Sequence, residues 1–563
     1  MKLPVFAWVP VYDRRWLRGD LLAGLTVWAV LVPEALAYAS IAGVSPVIGL
    51  YAAPGALIFY AAFGSSRHLV TGPMAATAAL SAAAVGDLAA GGTDEFLQLT
   101  ITLGIVVGVL AVVAGLLRLG FLASFISEPV LKGFIVGLAL TIIAGQVPKL
   151  FGVPKGEGDF FRQVWDFVTN LGATSGITLL VGALSLALVL GLKRLLPVVP
   201  GSLVAVLLGI VAVKVFNLDE HGVEIVGHID SGLPSFGLPD VAAHRYLDLA
   251  PAAVGVMLVG FAESLAAAKN YAAKDHYEID ANRELLGLGA ANLASGLSSG
   301  MVVNGSLSKT AVNASAGAKS QVSGLVVAAL TVVTLLFLTG LFESLPEATL
   351  AAVVIAALIE LVDVRSLVAF YRFHTRGSGL LYGVTSRPDF VAAVSALFGV
   401  LLFDTLPGLF IGIAISIVLL LYRASRPNVA ILGRIPGAPG QFGDIARHSE
   451  NTPVPGVIVV RPESGLFFAN SDAVRESIRR EAAADGVHAV VLDAETMPFI
   501  DITAAAMLSE LESDLARSGV TLLLARDIGQ VRDLLRAAAE DGGTVPAYPT
   551  VDDAVAALGK PSV

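Results

Sequence analysis

The sequence predicts a polytopic α-helical membrane protein that carries a small α/β domain after its last span. Of its 563 residues, 55% are hydrophobic and only 15% are charged, whereas soluble domains have about 25% charged residues. Uncharged apolar runs such as 176–192 and 323–342 recur along most of the chain, and a helix of about 20 such residues crosses a bilayer. So many apolar runs cannot all lie inside one soluble protein, which excludes that class.

We predict fourteen transmembrane segments in two sets of seven. The first set lies at residues 21–42, 46–63, 71–88, 98–117, 125–146, 172–192 and 200–216. The second set lies at residues 249–272, 284–300, 304–316, 322–341, 347–362, 389–403 and 407–424. Two sets of equal number indicate inverted repeats, at 21–216 and 249–425. Such repeats are a common plan of transporters, so residues 21–425 are predicted to form a transporter domain.

Basic residues predict which side of the membrane faces the cytoplasm. An even number of spans places both ends of the chain on one side, which Arg14, Lys193 and Arg426 would share, whereas the opposite loops at 86–96 and 217–222 are acidic. Because the positive side faces the cytoplasm, residues 1–20 and the C-terminal domain are predicted to be cytoplasmic. No signal peptide is predicted at the N-terminus, so the first span is expected to direct insertion.

The composition changes after Arg426. Residues 426–452 are rich in proline and glycine and are predicted to be a linker. Beyond them, strand-like runs at 456–462, 489–495 and 520–526 alternate with amphipathic helical patterns. Strands that alternate with helices favour a small α/β domain at 453–563.

A polar stretch between apolar segments is the strongest functional signal. Residues 302–321, "VVNGSLSKTAVNASAGAKSQ", are too polar to span a membrane alone. They predict an extended approach followed by a short helix that begins near Gly305 to Ser308. The free N–H groups of a helix start favour an anion, and Ser306, Ser308 and Lys309 would add donors and a positive charge. The alternative is a re-entrant loop in which small residues only permit close packing.

The third segment of the first repeat has the same form. Residues 68–87, "HLVTGPMAATAALSAAAVGD", combine an extended run that contains glycine and proline with a small-residue helix from Met74. Interrupted segments at matching positions of two repeats point to a transport site. Two helix starts that face each other at mid-membrane are therefore predicted to hold an anion.

Each repeat has one carboxylate deep in its first predicted span. Glu34 follows a proline in "VLVPEALAYAS", and Glu263 lies in "VMLVGFAESLAAAKN". A carboxylate at such depth is costly and is usually functional, and burial disfavours its charged form, which suits a proton carrier. The alternative for each is a structural partner of Lys309 or of a backbone donor.

These blocks resemble the SulP (sulfate permease) family of anion transporters. The resemblance is carried by residues 24–53, 63–77, 120–134, 304–324 and 345–363, and it covers nearly the whole chain. The C-terminal runs "LFFANSDAVRESI" and "FIDITAAAML" look like the STAS domain that these transporters carry.

The resemblance implies fourteen spans in two inverted repeats of seven, a core domain that moves against a gate domain, and a homodimer. It places the anion between the starts of the third and tenth segments, beside the first span. The residues that match this site by position are Glu34, Tyr38, Ala75, Ala76, Thr77, Gly305, Ser306, Leu307, Ser308 and Lys309. Lys309 matches a family arginine and so retains the charge without the two-pronged geometry of a guanidinium.

Two positions depart from the family pattern. Glu34 stands where many members have glutamine, and a carboxylate beside an anion repels it unless the carboxylate is protonated or paired. This departure favours proton co-transport. Met74 stands where many bacterial relatives have a polar or acidic residue, which leaves the substrate class open.

The STAS-like segment contains a candidate regulatory residue. In small regulators related to this domain, a serine or threonine two residues after the aspartate of an Ile-Asp pair is phosphorylated, and the matching position here is Thr503. The alternative is that Thr503 only caps the following helix.

The sequence thus predicts a secondary active transporter of small anions, by proton-coupled symport with alternating access. Glu263 and Glu34 are the candidates for proton coupling. Three substrates remain open: sulfate, bicarbonate and a C4-dicarboxylate such as fumarate. An anion exchanger, an uncoupled anion channel, sodium-coupled bicarbonate uptake and a membrane-anchored signalling protein remain alternatives.

No enzyme, cofactor or metal site is predicted. The sequence has no phosphate-binding loop motif for direct ATP-driven pumping, and its lack of cysteine excludes disulfides and thiolate metal ligands. The predicted partners are the anion, protons or sodium, the lipid bilayer and a second copy of the chain, with no nucleic acid. The predicted location is the bacterial inner (cytoplasmic) membrane.

Overall fold

The computed structural model describes residues 5–6, 8–86, 88–89, 92–125, 127–156, 158–196, 199–229, 231–359, 361–375, 387–403, 405–538 and 545–558. These residues form two compact units. The larger unit comprises Met1–Phe373 and Ser386–Ser416, and the smaller comprises His374–Thr385 and Ile417–Val563.

The larger unit is helical. Its first-repeat helices are α1 (Leu17–Ile41), α2 (Pro46–Phe63), α3 (Ala75–Gly86), α4 (Thr93–Leu116), α5 (Glu128–Phe151), α6 (Phe160–Thr169), α7 (Gly176–Leu195) and α8 (Gly201–Phe216). A short helix, α9 (His244–Asp248), precedes the second repeat. The second-repeat helices are α10 (Ala250–Lys274), α11 (Ala281–Leu297), α12 (Leu307–Ser315), α13 (Val322–Phe337), α14 (Glu347–Ile359), α15 (Val364–Thr375), α16 (Arg387–Phe403) and α17 (Thr405–Ser425). The last two residues of α15 and the part of α17 from Ile417 onward belong to the smaller unit.

Each of the fourteen predicted apolar segments overlaps one of these helices. Among the described residues, seven helices are long and apolar enough to cross a membrane by length and composition, namely α1, α2, α4, α5, α7, α10 and α17. Shorter apolar helices, among them α3, α8 and α13, account for further predicted segments. The predicted count of fourteen complete spans therefore stays a prediction, although every segment is helical.

The two interrupted segments meet each other. Strand β1 (Val70–Gly72) precedes α3, and strand β2 (Asn304–Ser306) precedes α12. The strands pair antiparallel, with Thr71 opposite Gly305. This pairing gives the extended backbone hydrogen-bond partners that it would lack in lipid. The predicted form of both segments, an extended approach followed by a short helix, is confirmed.

Close packing of α1 against α2 fixes the position of the first span. A Cβ atom at Gly49 of α2 would overlap the carbonyl oxygen of Ala35 in α1. Only glycine permits this approach, as is usual where membrane helices touch. The residue before Ala35 is Glu34, so this contact holds the backbone beside the first buried carboxylate.

The smaller unit contains a six-stranded sheet in the order β4-β3-β5-β6-β7-β8. Its strands are β3 (Val429–Arg434), β4 (Phe442–Asp444), β5 (Val457–Pro462), β6 (Ala489–Asp493), β7 (Thr521–Ala525) and β8 (Ala547–Tyr548). Strand β3 runs antiparallel to β4 and β5, and the remaining pairs are parallel. The helices are α18 (Ser471–Ala482), α19 (Ile502–Arg517), α20 (Gly529–Ala538) and α21 (Val551–Leu558).

The structure corrects the predicted boundary of this domain. Residues 426–452, predicted as a linker, supply β3 and β4 to the sheet. Edge strands joined by turns have the same proline- and glycine-rich composition as a linker, which is why composition alone did not separate the two.

Candidate functional site

The predicted anion-site residues lie on three elements that come together at the paired strands. Glu34 and Tyr38 are buried in α1. Ala75, Ala76 and Thr77 form the first turn of α3 and are also buried. Gly305 and Ser306 lie in β2, and Leu307, Ser308 and Lys309 form the first turn of α12, which follows β2 directly.

An ion pair joins α1 to α12. Lys309 Nζ lies 2.8 Å from Glu34 Oε2 and also donates to the carbonyl oxygen of Pro73 at 3.3 Å. The same ammonium lies 5.1 Å from the centroid of the Tyr38 ring. Lys309 is only 1% exposed, so its charge acts in a medium where water screens it poorly. One ammonium thus contacts α1, the turn before α3 and the start of α12.

The start of α12 presents donors. Ser306 is the N-cap, and its Oγ accepts a hydrogen bond from the Lys309 N–H at 3.2 Å. Ser306 Oγ also lies 3.1 Å from Ser308 Oγ. The first N–H groups of a helix have no partner within the helix. Leu307 and Ser308, which precede Lys309 in this turn, are both exposed, so this helix start is open to a ligand.

The start of α3 is different in chemistry. Its first residues, Ala75 and Ala76, carry no side-chain donors, and the Thr77 hydroxyl donates to the Met74 carbonyl oxygen at 3.3 Å. Pro73 precedes this turn and lacks an N–H. The contribution of α3 is therefore its backbone and its dipole, whereas α12 adds hydroxyl groups and a positive charge. Together they can hold a small anion.

The second deep carboxylate has a neutral partner. Glu263 in α10 accepts a hydrogen bond from Asn304 Nδ2 at 3.3 Å. The two carboxylates therefore differ, because Glu34 faces an ammonium and Glu263 faces an amide. The alternative interpretation, a partner of Lys309, holds for Glu34 and not for Glu263.

Sequence reasoning missed two residues beside Glu263. Asn304 is the first residue of β2, and Ser264 Oγ contacts its side-chain oxygen. Ser264 Oγ also accepts a hydrogen bond from the Gly305 N–H at 2.9 Å. A signal was available in the polar neighbours of the two motifs, since Asn304 precedes "GSLSK" directly and Ser264 follows Glu263 directly.

A third buried carboxylate anchors the loop that leads into β1. Glu284 in α11 accepts hydrogen bonds from Tyr60 OH at 2.7 Å, from Ser65 N–H at 2.8 Å and from Ser66 N–H at 3.1 Å. Ser65 Oγ adds a fourth donor at 2.7 Å. Four donors compensate a buried carboxylate without a cation, so Glu284 holds the loop in place before the strand.

His68 ties the same loop to two others. Its Nε2 lies 3.1 Å from the Ala318 carbonyl oxygen and 3.1 Å from Asp275 Oδ2, so this nitrogen carries a proton. Its Nδ1 lies 3.2 Å from Tyr277 OH. Burial lowers the pKa of His68, and the neighbouring Asp275 carboxylate opposes that shift. The ring thereby connects the loops before β1, before α11 and before α13.

A cavity of about 310 Å³ lies beside α3, farther along the chain from its first turn. Its walls include Ser40 of α1, Ala79 and Ala83 of α3, and Gln146 and Lys149 of α5. Ala83 is six residues beyond Thr77, which is about 9 Å along a helix. The cavity therefore gives small polar solutes room beside the C-terminal half of α3.

Thr503 lies on the surface in the first turn of α19. The N-cap of this helix is Asp501, whose Oδ1 accepts a hydrogen bond from the Ala504 N–H at 2.8 Å. The alternative that Thr503 caps the helix is therefore wrong, because Thr503 is already inside it. Its role as a regulatory residue stays a prediction.

Family models match both units of this chain. Residues 17–384 match the sulfate permease family, and residues 449–554 match the STAS domain. The chain is 37% identical over 529 residues to a probable sulfate transporter of Mycobacterium tuberculosis, covering 94% of this chain and 92% of the relative. It is 31% identical to high affinity sulfate transporter 1 of Stylosanthes hamata, covering 99% of this chain and 86% of the relative.

Solved structures share the fold. The murine Solute Carrier 26 family member A9 anion transporter, in its inward-facing state, has a TM-score of 0.88 at 24% identity, covering 98% of this chain and 93% of that one. The transmembrane domain of the cyanobacterial bicarbonate transporter BicA has a TM-score of 0.61 at 23% identity, covering 70% of this chain and 98% of that one. The predicted fold class, a helical transporter domain with a C-terminal STAS domain, is confirmed.

Proposed function

We propose, because this chain belongs to the sulfate permease family, that it moves a small anion across the membrane by proton-coupled symport. Transport of anions follows from the family, and the family relatives are transporters and not enzymes. Sulfate is the first substrate to examine, because the relatives are described as sulfate transporters. Bicarbonate, and a C4-dicarboxylate such as fumarate, are the other anions that the sequence leaves open.

The observation that supports this proposal most is the ion pair between Lys309 and Glu34. The ammonium lies at the junction of both helix starts, at 2.8 Å from the carboxylate and 3.3 Å from the Pro73 carbonyl oxygen. An anion that binds at these helix starts competes with Glu34 for the same positive charge. The displaced carboxylate is then buried without a cation, which is a costly arrangement.

Glu263 is the stronger candidate for the proton carrier. Its partner is the neutral amide of Asn304, so neither protonation state leaves a buried ammonium unpaired. Glu34, in contrast, forms an ion pair with the buried Lys309 ammonium. Both carboxylates can contribute to coupling, and substitutions separate their roles.

The site residues fit alternating access. Tyr38, Ala75, Ala76, Thr77, Gly305, Ser306, Leu307, Ser308 and Lys309 come from two repeats that are joined by the β1–β2 pair. A site built from two repeats can face either side of the membrane when the repeats move against their surroundings. We further propose that the chain acts as a homodimer in a bacterial inner membrane, with the N-terminus and STAS domain in the cytoplasm.

The test is uptake into proteoliposomes that contain the purified full chain. Labelled sulfate, fumarate and bicarbonate are compared with and without an inward proton gradient, and with and without sodium, while a trapped dye reports internal pH. Proton symport requires that the preferred anion enters faster with the proton gradient and that the lumen acidifies with it.

Each alternative mechanism gives a different result in the same liposomes. An exchanger needs an internal counter-anion, an uncoupled channel responds to membrane potential alone, and a sodium-coupled carrier responds to sodium and not to protons. Absence of uptake for all three anions by folded protein would overturn the substrate assignment.

A further inference from the structure

The side chain of Asn304 lies between the candidate proton carrier and the start of α12. Asn304 is 1% exposed and pairs with Gly72 across the strands. Its amide nitrogen contacts Glu263 Oε2, and its amide oxygen contacts Ser264 Oγ. Ser264 Oγ in turn accepts the N–H of Gly305 at 2.9 Å. A continuous chain of hydrogen bonds therefore runs from a carboxylate to a backbone group at the anion site.

The number of hydrogens in this chain is too small to satisfy every contact at once. Ser264 Oγ lies 2.7 Å from the Gly260 carbonyl oxygen and also contacts Asn304 Oδ1. A serine hydroxyl has one proton, so it can donate to only one of these two acceptors. The orientation of the Asn304 amide decides which acceptor needs the proton.

Two arrangements satisfy the chain, one for each charge state of Glu263. When Glu263 is ionised, Asn304 donates to it through Nδ2, and Ser264 donates to Asn304 Oδ1. When Glu263 is protonated, its O–H donates to Asn304 Oδ1 after the amide turns over, and Nδ2 donates to Ser264 Oγ. The Ser264 proton then goes to Gly260. Amide groups can turn in this way because their two ends are nearly equal in shape.

The two arrangements differ at Gly305. In the ionised arrangement, Ser264 Oγ accepts one hydrogen, from the Gly305 N–H. In the protonated arrangement, it accepts two hydrogens, so its hold on the Gly305 N–H weakens. A weakly held N–H at the strand that leads into α12 is a better donor for an anion. Protonation of Glu263 and binding of the anion therefore favour each other.

We propose that Asn304 is the positioning residue that couples the proton on Glu263 to the anion at the start of α12. The proposal rests on the proposed function, since it requires that anion and proton move together. By thermodynamic linkage, the coupling acts equally in both directions.

Apart from the exposed Asp94 of α4 and the exposed pair of His244 and Asp248 in α9, the charged groups on the elements packed against α10 have partners other than Glu263. These elements include α3, α4, α9, α11, α12 and β2. In the described part of the chain, Lys309 pairs with Glu34, and Glu95 pairs with Arg245. Arg283 donates to the Gly64 carbonyl oxygen. Glu284 accepts hydrogen bonds from Tyr60, Ser65 and Ser66. Among the described residues, Asn304 is the hydrogen-bond partner of the Glu263 carboxylate.

Asn292 provides a matched control. It is 3% exposed and holds the same backbone stretch, because it accepts the Val303 N–H at 3.0 Å and donates to the Val303 carbonyl oxygen at 3.0 Å. It contacts no carboxylate in these bonds. A substitution at Asn292 therefore perturbs the strand without touching the path from Glu263.

The experiment compares the full chain with its Asn304→Ala, Ser264→Ala and Asn292→Ala variants in proteoliposomes. Sulfate uptake and lumen acidification are measured together, and the anion KM is measured at pH 5.5 and pH 7.5, two values chosen for the assay. Coupling energies between sites correspond to about 5–150-fold in affinity. We expect the parent KM to rise at least about 5-fold between the two pH values.

We expect Asn304→Ala to flatten this pH dependence and to lower the ratio of protons to anions, while anion flux down its own gradient persists. Ser264→Ala should give the same result, and it decides the matter if Asn304→Ala does not fold. Asn292→Ala should keep the parent's ratio and pH dependence even if its yield falls. Parent-like coupling in Asn304→Ala, or equal loss in Asn292→Ala, would overturn the proposal. A parent without proton coupling would instead overturn the proposed function.

Discussion

Lys309 Nζ and Glu34 Oε2 lie 2.8 Å apart, although 275 positions separate the two residues in the chain. The pair joins the first span of one repeat to the half-helix of the other. Burial of both side chains makes the pair sensitive to the loss of either partner, because a single buried charge without its partner is costly.

Replacing Lys309 with methionine should abolish anion uptake and destabilise the protein. Removing one partner of a buried pair costs about 3–5 kcal/mol, and the anion loses its positive charge as well. Uptake and thermal unfolding in detergent measure the two effects.

The double variant Lys309→Met with Glu34→Gln separates the loss of uptake from the loss of stability, because it should recover most of the stability without recovering transport. Lys319→Met is the matched control, since Lys319 is half exposed ten residues farther along the chain and should leave uptake unchanged. Normal uptake by Lys309→Met would remove the ammonium from the anion site.

Replacing Glu263 with glutamine should leave anion binding intact but remove uptake driven by an inward proton gradient. Glutamine keeps the shape and a hydrogen bond to Asn304 but cannot exchange a proton. Anion uptake and internal acidification are recorded in the same liposomes. Acidification at the parent's rate would show that Glu263 is not the proton carrier, and Glu34 would then take its place.

Replacing Glu34 with glutamine should affect transport less than the change at Glu263, although it lowers stability because the buried Lys309 ammonium loses its charged partner. The amide can still accept a hydrogen bond from Lys309, while the competing negative charge beside the anion is removed. We expect uptake to continue with a changed preference among sulfate, fumarate and bicarbonate, measured by competition. If Glu34→Gln stops acidification while Glu263→Gln does not, the two roles are reversed.

A negative charge at the start of α12 should stop transport. Ser308→Glu places a carboxylate where the helix dipole and Lys309 attract an anion. The matched control is Ser315→Glu, because Ser315 is the last residue of the same helix and is also exposed. We expect a loss of uptake only for Ser308→Glu. Equal uptake by both variants, with equal yields of folded protein, would move the anion site elsewhere.

The STAS domain should not be needed for the chemistry of transport. A chain that ends at Arg426 stops before β3 and removes the whole sheet, so we expect reduced but measurable uptake. A chain that ends at residue 452 keeps β3 and β4 without their partner β5. Its exposed strand edges should promote aggregation, which size-exclusion chromatography detects. Tight binding of the substrate by the isolated C-terminal domain would contradict this division of labour.

The broken form of the third and tenth segments could be predicted from the sequence, because Gly72, Pro73 and the small polar residues after Asn304 interrupt apolar runs. Their mutual pairing could be anticipated only from the repeat. The partner of Lys309 could not be predicted, because the sequence does not show whether its ammonium reaches Glu34 or Glu263. That choice depends on how the helices pack in three dimensions, as at the close contact of Gly49 with Ala35 that holds α1 against α2.

The contacts of Asn304 could not be predicted for a similar reason. Asn304 and Ser264 are 40 positions apart, and Asn304 and Glu263 are 41 apart. Asparagine just before a helix is commonly a turn or capping residue, so its type gives no sign of a role next to a carboxylate. Glu284 is similar, because its donors come from a loop more than 200 positions away.

The pairing of β1 with β2 has a mechanical consequence. Backbone hydrogen bonds between Val70–Gly72 and Asn304–Ser306 fasten the two half-helices to each other, so neither can shift without taking the other along. A bound anion would then move together with both half-helices and keep the same hydrogen-bond donors on either side of the membrane. Release of the anion would then require a change in the charge of the groups beside it and not a change in the geometry of the binding site.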